Sequence, residues 1–174
     1  LDSAVSGIMN ASASMASNAQ FYPLQYRTVN YSAIPVNDRL QMRRYLENLI
    51  RPFDLVTDCA LQISEEDAVT MSLTTFENPI GYYPFYFNVA DLSYDEWTSI
   101  LSEATPGFLP VLHVTTPYSS YDALIYSINW NRDRYFYASF NINEIKKTMI
   151  ESNYLDKHFL TIENAQGDCL YTDC

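Results

Sequence analysis

Residues 122–142 read DALIYSINWNRDRYFYASFNI. From Asp122 to Asn131 the side chains alternate: Leu124, Tyr126, Ile128 and Trp130 fall on one side, and Ala123, Ile125, Ser127 and Asn129 on the other. A period of two marks a strand. NRDR (131–134) is a tight polar turn, and RYFYASFNI (134–142) alternates again, with Tyr135, Tyr137, Ser139 and Asn141 on one face. Two alternating runs across a short turn predict an antiparallel hairpin. A face of Tyr, Ser and Asn is too polar for a plain core and too aromatic for plain solvent. A small-molecule pocket needs that mixture of apolar walls and a few orienting hydrogen-bonding groups.

Working outward, Asn143 is expected to cap a helix over NEIKKTMIESNY, with Ile145, Met149 and Ile150 apolar. HFLTIEN (158–164), the turn AQGD and CLYTD predict a last strand pair. Upstream, Ser93 and Glu96 form a capping box for a helix over about 94–104, with Trp97, Ile100 and Leu101 inward. The stretch before it, FENPIGYYPFYFNVADL (76–92), is irregular and aromatic. Its Tyr82, Tyr83, Phe85 and Tyr86 make a candidate lid, since so aromatic a loop must cover something or be covered. LVTDCALQI (55–63) and AVTMSL (68–73), joined by the polar SEED turn, predict a second hairpin whose first strand is half-buried.

Two helices precede that hairpin. One is expected over about 38–52, capped by Asn37 or Asp38 and burying Leu40, Met42, Leu46, Leu49, Ile50 and Phe53. The other is an N-terminal stripe of Leu1, Val5, Ile8, Ser12, Met15, Ala19 and Tyr22, spaced alternately by four and three. It reads as a long helix that starts without a cap, continues upstream and breaks at Pro23. Together the elements predict an α+β fold, an antiparallel sheet of about five strands flanked by helices. Three regions are expected: 1–30 as helix and linker, 31–157 as the main module, and 158–174 as a terminal strand pair or the start of a second module.

Composition narrows the function classes. A formal net charge of −11 over 174 residues disfavours direct nucleic-acid binding, because a phosphate backbone repels such a surface. Fifteen Tyr against four Gly favour half-wet aromatic surfaces over phosphate-cradling loops. Cys59, Cys169 and Cys174 form no zinc-like cluster, and Cys59 reads as a small core residue. No GxSxG, HExxH, P-loop or GxGxxG occurs. His113, in the apolar run VLHV, reads as a strand or core histidine, and His158, beside Lys157, as solvent-facing. No catalytic residue, metal site or cofactor is therefore expected.

Four stretches carry a family resemblance: MASNAQFYPL closing the first helix; RLQMRRYLENLIRPFD running into LVTDCALQISEEDAVTMS; RYFYASFNINEIKKTMI; and FLTIENAQGDCLYTD. The chain resembles the extracytoplasmic Cache (PAS-like) sensor domains of bacterial transmembrane receptors, most of all those of membrane-anchored AraC-type transcription regulators and sensor histidine kinases. The resemblance implies a PAS-like sheet, flanking membrane helices, a location outside the membrane and an intracellular output domain. It also implies a small-molecule ligand, with signalling through the N-terminal helix and homodimerisation along its stripe. Amino-acid-binding members use a Tyr, Arg, Trp-Tyr and Asp constellation. Tyr126, Trp130, Arg132 and Asp133 lie near one another here without that spacing. The candidate ligand-binding residues are Tyr126, Trp130, Tyr135, Tyr137, Tyr83, Tyr86 and Arg132. Two rival readings are a protein-interaction domain for a solute-binding or wall-associated partner, with its aromatic face exposed, and a secreted hydrolase. Burial of His113 away from any carboxylate or nucleophile would count against the hydrolase.

Overall fold

The computed structural model describes residues 2–22, 33–63, 68–71, 75–76, 83, 87–103, 106–131, 134–152, 160–164 and 166–172. The helices are α1 (Asp2–Ser17), α2 (Val36–Ile50), α3 (Tyr94–Glu103) and α4 (Ile142–Glu151). The strands are β1 (Val56–Ile63), β2 (Ala68–Met71), β3 (Thr75–Phe76), β4 (Asn88–Val89), β5 (Gly107–Phe108), β6 (Leu112–Thr115), β7 (Ser120–Asn131), β8 (Arg134–Asn141), β9 (Thr161–Glu163) and β10 (Cys169–Thr172).

One antiparallel sheet runs β3-β2-β1-β8-β7-β6-β4, and β5 pairs with β7 beyond β6. The expected hairpins 55–73 and 122–142 are β1–β2 and β7–β8, and the first and last long strands pair at the centre. The sheet has eight described strands, not about five: β3, β4 and β5 are two residues each and the four-residue β6 is short, so they leave little periodic trace, while the expected terminal pair β9–β10 forms a separate two-stranded sheet.

Strand alternation divides the interior into two cores. One holds Cys59, Leu61, Leu124, Tyr126, Phe136, Ala138 and Phe140 beneath α1, α2 and α4. The other holds Ala60, Ile125, Tyr135 and Tyr137 beneath Phe87, Trp97 and Leu101. The expectation of a half-buried β1 is corrected: Ala60, Leu61 and Gln62 are all fully buried, because the segment carrying α3 covers the second face. The terminal pair β9–β10 packs on the first core, with Leu160 and Ile162 buried in it and Leu170 and Tyr171 against it.

The long N-terminal helix is also corrected. α1 ends at Ser17, and Ala19–Phe21 is a 3-10 turn, so regular α-helix stops well before Pro23. Its stripe is spent inside the chain: Ile8, Ser12 and Met15 are buried. Gly7 lets α1 approach closely, since a Cβ there would stand 2.0 Å from Cζ of Phe53. α2 starts at Val36 with Pro35 at the N-cap and no side-chain cap, in place of the expected Asn37 or Asp38. It buries Met42, Leu46 and Leu49 and leaves Leu40 exposed.

The capping box forms as expected. Ser93 donates its backbone N–H and its hydroxyl to Glu96 Oε2, both at 2.7 Å, and the Glu96 N–H donates to Ser93 Oγ. These bonds hold the Glu96 carboxyl below its ordinary range. Asn141, not Asn143, caps α4, accepting from the Asn143 N–H at 2.9 Å. Gly167, with φ of +88°, makes the left-handed turn between β9 and β10. Among the described residues no helix is long and apolar enough to cross a membrane.

Candidate functional site

The face of the sheet beneath α3 is built row by row from three central strands. Gln62, Tyr135 and Asn129 stand in one row; Ala60, Tyr137 and Ser127 in the next; Asp58, Ser139 and Ile125 in a third. Over them lie Phe87 and Trp97. The Phe87–Tyr137 ring centroids are 5.3 Å apart, and Trp97 meets Tyr137 edge-on at 5.4 Å. Tyr83 is buried beside them and donates its hydroxyl to the carbonyls of Leu92 and Val89 at 3.2 and 3.4 Å.

This layer has unused hydrogen-bonding capacity. Gln62 is fully buried; its Nε2 donates to the Tyr94 hydroxyl at 3.1 Å, while its Oε1 has no partner among the described residues. Asn129 donates from Nδ2 to the Ser102 carbonyl at 3.1 Å, and its buried Oδ1 is likewise unmatched. Ser127 Oγ and Trp97 Nε1, on residues 1% and 0% exposed, complete the set. Two are acceptors, one is a donor and the hydroxyl is either. The great majority of buried polar groups are paired, so four unmatched atoms between this face and α3 set the layer apart.

Burial dominates the acid–base character here. It pushes the Tyr83 hydroxyl up to about 12, with Glu96 adding to the rise. Burial also raises Tyr121, as does the nearby Asp58 carboxylate. Cys59, under the opposite face, is raised well above the ordinary thiol by burial and then by Asp58, so it is no thiolate nucleophile. Among the described residues no cluster of His, Cys, Asp or Glu is able to hold a metal ion.

The sequence candidates divide across the sheet. Tyr135, Tyr137 and Tyr83 meet in the layer just described. Tyr126 lies on the opposite face, packed edge-on against Phe108 at 5.3 Å. The reason is a register shift between Asn129 and Asn131. Counted straight from the Asn131–Arg134 pair, Tyr137 would sit opposite Ile128, on the Tyr126 face. The shift sets Tyr137 opposite Ser127 and Tyr135 opposite Asn129. A one-residue slip turns a strand's whole side-chain set to the other face. Tyr86, Arg132 and the Trp130 side chain lie outside the described residues, as do Tyr82, Phe85 and the SEED turn. Arg134, which ends the NRDR turn in the sequence, opens β8 and is 1% exposed.

Sequence reasoning missed Gln62, Ser127, Asn129 and Trp97 as a group. Ser127 and Asn129 share a strand face in the sequence and Trp97 is helix core, but only the pairing of β1, β8 and β7 brings them together with Gln62. Of the two readings of His113, strand or core, the structure shows the strand. The side chain is half exposed, and it contacts both a carboxylate and a hydroxyl. Comparison with known protein families, curated proteins and solved structures found no match.

Proposed function

We propose that the chain is the extracytoplasmic ligand-sensing module of a transmembrane receptor of the PAS-like Cache kind. The observation that carries this is the set of unmatched polar atoms, Gln62 Oε1, Asn129 Oδ1, Ser127 Oγ and Trp97 Nε1, beside aromatic walls beneath α3. A small molecule with both donors and acceptors would satisfy them. Asp58 is the one charged described side chain on this face, so a neutral or cationic ligand fits better than an anion. The rival interaction domain needs an exposed aromatic face, and burial of Tyr83, Tyr121, Tyr135 and Tyr137 weighs against it.

The same strands carry the signal. Tyr135, Tyr137 and Ser139 face the ligand, while Phe136, Ala138 and Phe140 alternate with them and pack in the core that holds α1. Ligand binding favours one packing of the sheet against α1, and α1 passes the displacement toward the membrane and an intracellular transcription regulator or kinase. The shift is limited to the ligand's differential affinity for the two states. Homodimerisation along α1 would use its outer face, where Met9 is half exposed, since Ile8, Ser12 and Met15 are occupied internally.

The test is thermal denaturation of the 174-residue chain against free amino acids, small amines, amides, purines and monosaccharides. A ligand at a hundred times its Kd stabilises by about 2.7 kcal/mol. The expected result is a dose-dependent rise with one chemical class, abolished by Gln62→Leu. A flat response across the panel would overturn the proposal.

A further inference from the structure

The β6–β7 pair holds a second chemical arrangement, on the opposite face of the sheet from the layer beneath α3. His113 stands directly across from Asp122, and Ser120 across from Thr115, so the four side chains share one face. His113 Nδ1 is 2.8 Å from Asp122 Oδ1, and His113 Nε2 is 2.6 Å from Ser120 Oγ. An ionised carboxylate only accepts, so Nδ1 carries a proton, and in the neutral ring Nε2 then presents its lone pair to the Ser120 hydroxyl. Thr115 Oγ1, 3.4 Å from Ser120 Oγ, donates to the oxygen that has given its hydrogen to the imidazole. This is the relation of nucleophile, base and orienting acid that activates a serine, and it is recognised by geometry, not by sequence order.

We infer that Ser120 is an acyl-accepting nucleophile, with His113 as its base and Asp122 as the residue that positions the imidazole. Ser120 Oγ attacks the carbonyl carbon of an activated ester while its proton passes to His113 Nε2. The bond to the leaving oxygen breaks, that oxygen departs as the alcohol or phenolate, and Ser120 is left as an ester. Water then hydrolyses the acyl-serine with His113 again as base.

The surroundings set the rate. The N–H groups of Tyr118 and Ser119 both donate to Thr116 Oγ1, and the Thr116 N–H donates to the Ser119 carbonyl. These amides of the adjoining turn are therefore not available to an oxyanion. Losing one such donor costs about 10²–10³ in rate. The His113 and Asp122 side chains are also half exposed, so water competes for them. The site is thus a reactive serine that accumulates acyl groups from good leaving groups, not an efficient hydrolase.

The test uses p-nitrophenyl acetate on the whole 174-residue chain, with p-nitrophenolate release and peptide mapping by mass spectrometry. A burst near one equivalent is expected, with acetyl mapped to Ser120. Ser120→Ala abolishes both. His113→Ala slows acylation by about 10²-fold, the lower range for a positioned base. Circular dichroism and the melting point stay unchanged, because all three side chains are exposed. Asp122→Ala slows it too, and Asp122→Glu restores part of the rate. Acetyl found only on lysines or the N-terminus, or Ser120 labelled at the wild-type rate in His113→Ala, would overturn the inference.

Discussion

Ser127→Ala should make the ligand-free protein more stable. Most substitutions of buried residues destabilise, so the sign alone is informative. Ser127 is 1% exposed, and its Oγ has no partner among the described residues. A buried hydroxyl without a partner costs about 1–3 kcal/mol. Alanine removes one atom, keeps the Cβ against Tyr137 and leaves almost no cavity. A net gain of about 1–2 kcal/mol remains, which in a domain of this size raises the melting temperature by about 2–8 °C. Ser139→Ala is the internal control. It lies on the same face of the neighbouring strand, but its Oγ donates to the Asp58 carbonyl at 3.5 Å and bonds Tyr121. Its removal should cost about 0.5–1.5 kcal/mol. Thermal melts and urea titrations with unchanged m-values read both. Equal destabilisation by the two substitutions would show that the Ser127 hydroxyl is already satisfied. The claim of unused hydrogen-bonding capacity beneath α3 would then fall.

Two further outcomes follow from the packing and the buried hydroxyls. Gly7→Ala should lower the melting temperature, because overpacking costs about 1–3 kcal/mol, against about 1 kcal/mol gained in helix propensity. The clash is with the Phe53 ring, so the loss should shrink in a Phe53→Leu background, and a rise in the single variant would mean that α1 does not rest there. Tyr83 ionises near 10 when unfolded and near 12 when folded, so the unfolded state loses its proton first. Stability from this group is complete below pH 10 and falls as pH rises through 12. Urea titrations at several alkaline pH values should show that fall, and Tyr83→Phe should flatten it; an identical slope in the variant would refute the assignment.

Much of the fold was legible because it rests on local rules. The Ser93–Glu96 box named its own helix, since both bonds lie within four residues. The β7–β8 hairpin followed from alternation, and β9–β10 from paired strand patterns around Gly167. Burial on both faces of β1 was not legible. Asp58 and Gln62 look like a wet face until the segment carrying α3, distant in sequence, covers it. His113 was legible as a strand residue, but its exposure was not. Its apolar neighbours in VLHV left core burial open, while strand alternation puts Leu112 and Val114 on the α3-side core and His113 on the other, uncovered face of β6.

The candidate site separates the two kinds of information most sharply. From the residues alone came the alternation of each strand, the aromatic and polar character of the 134–142 face, and the absence of motif chemistry. Which faces coincide was left open, because it depends on one residue of register. The shift between Asn129 and Asn131 places Tyr135 and Tyr137 beside Ser127 and Asn129 and sends Tyr126 to the helix-bearing side. Pairing with β1 then brings Gln62 into the same row. A strand's period is a property of its own backbone, so sequence determines it. The phase between strands is decided by hydrogen-bond pairing and by which faces are covered, and that exists only in the folded molecule.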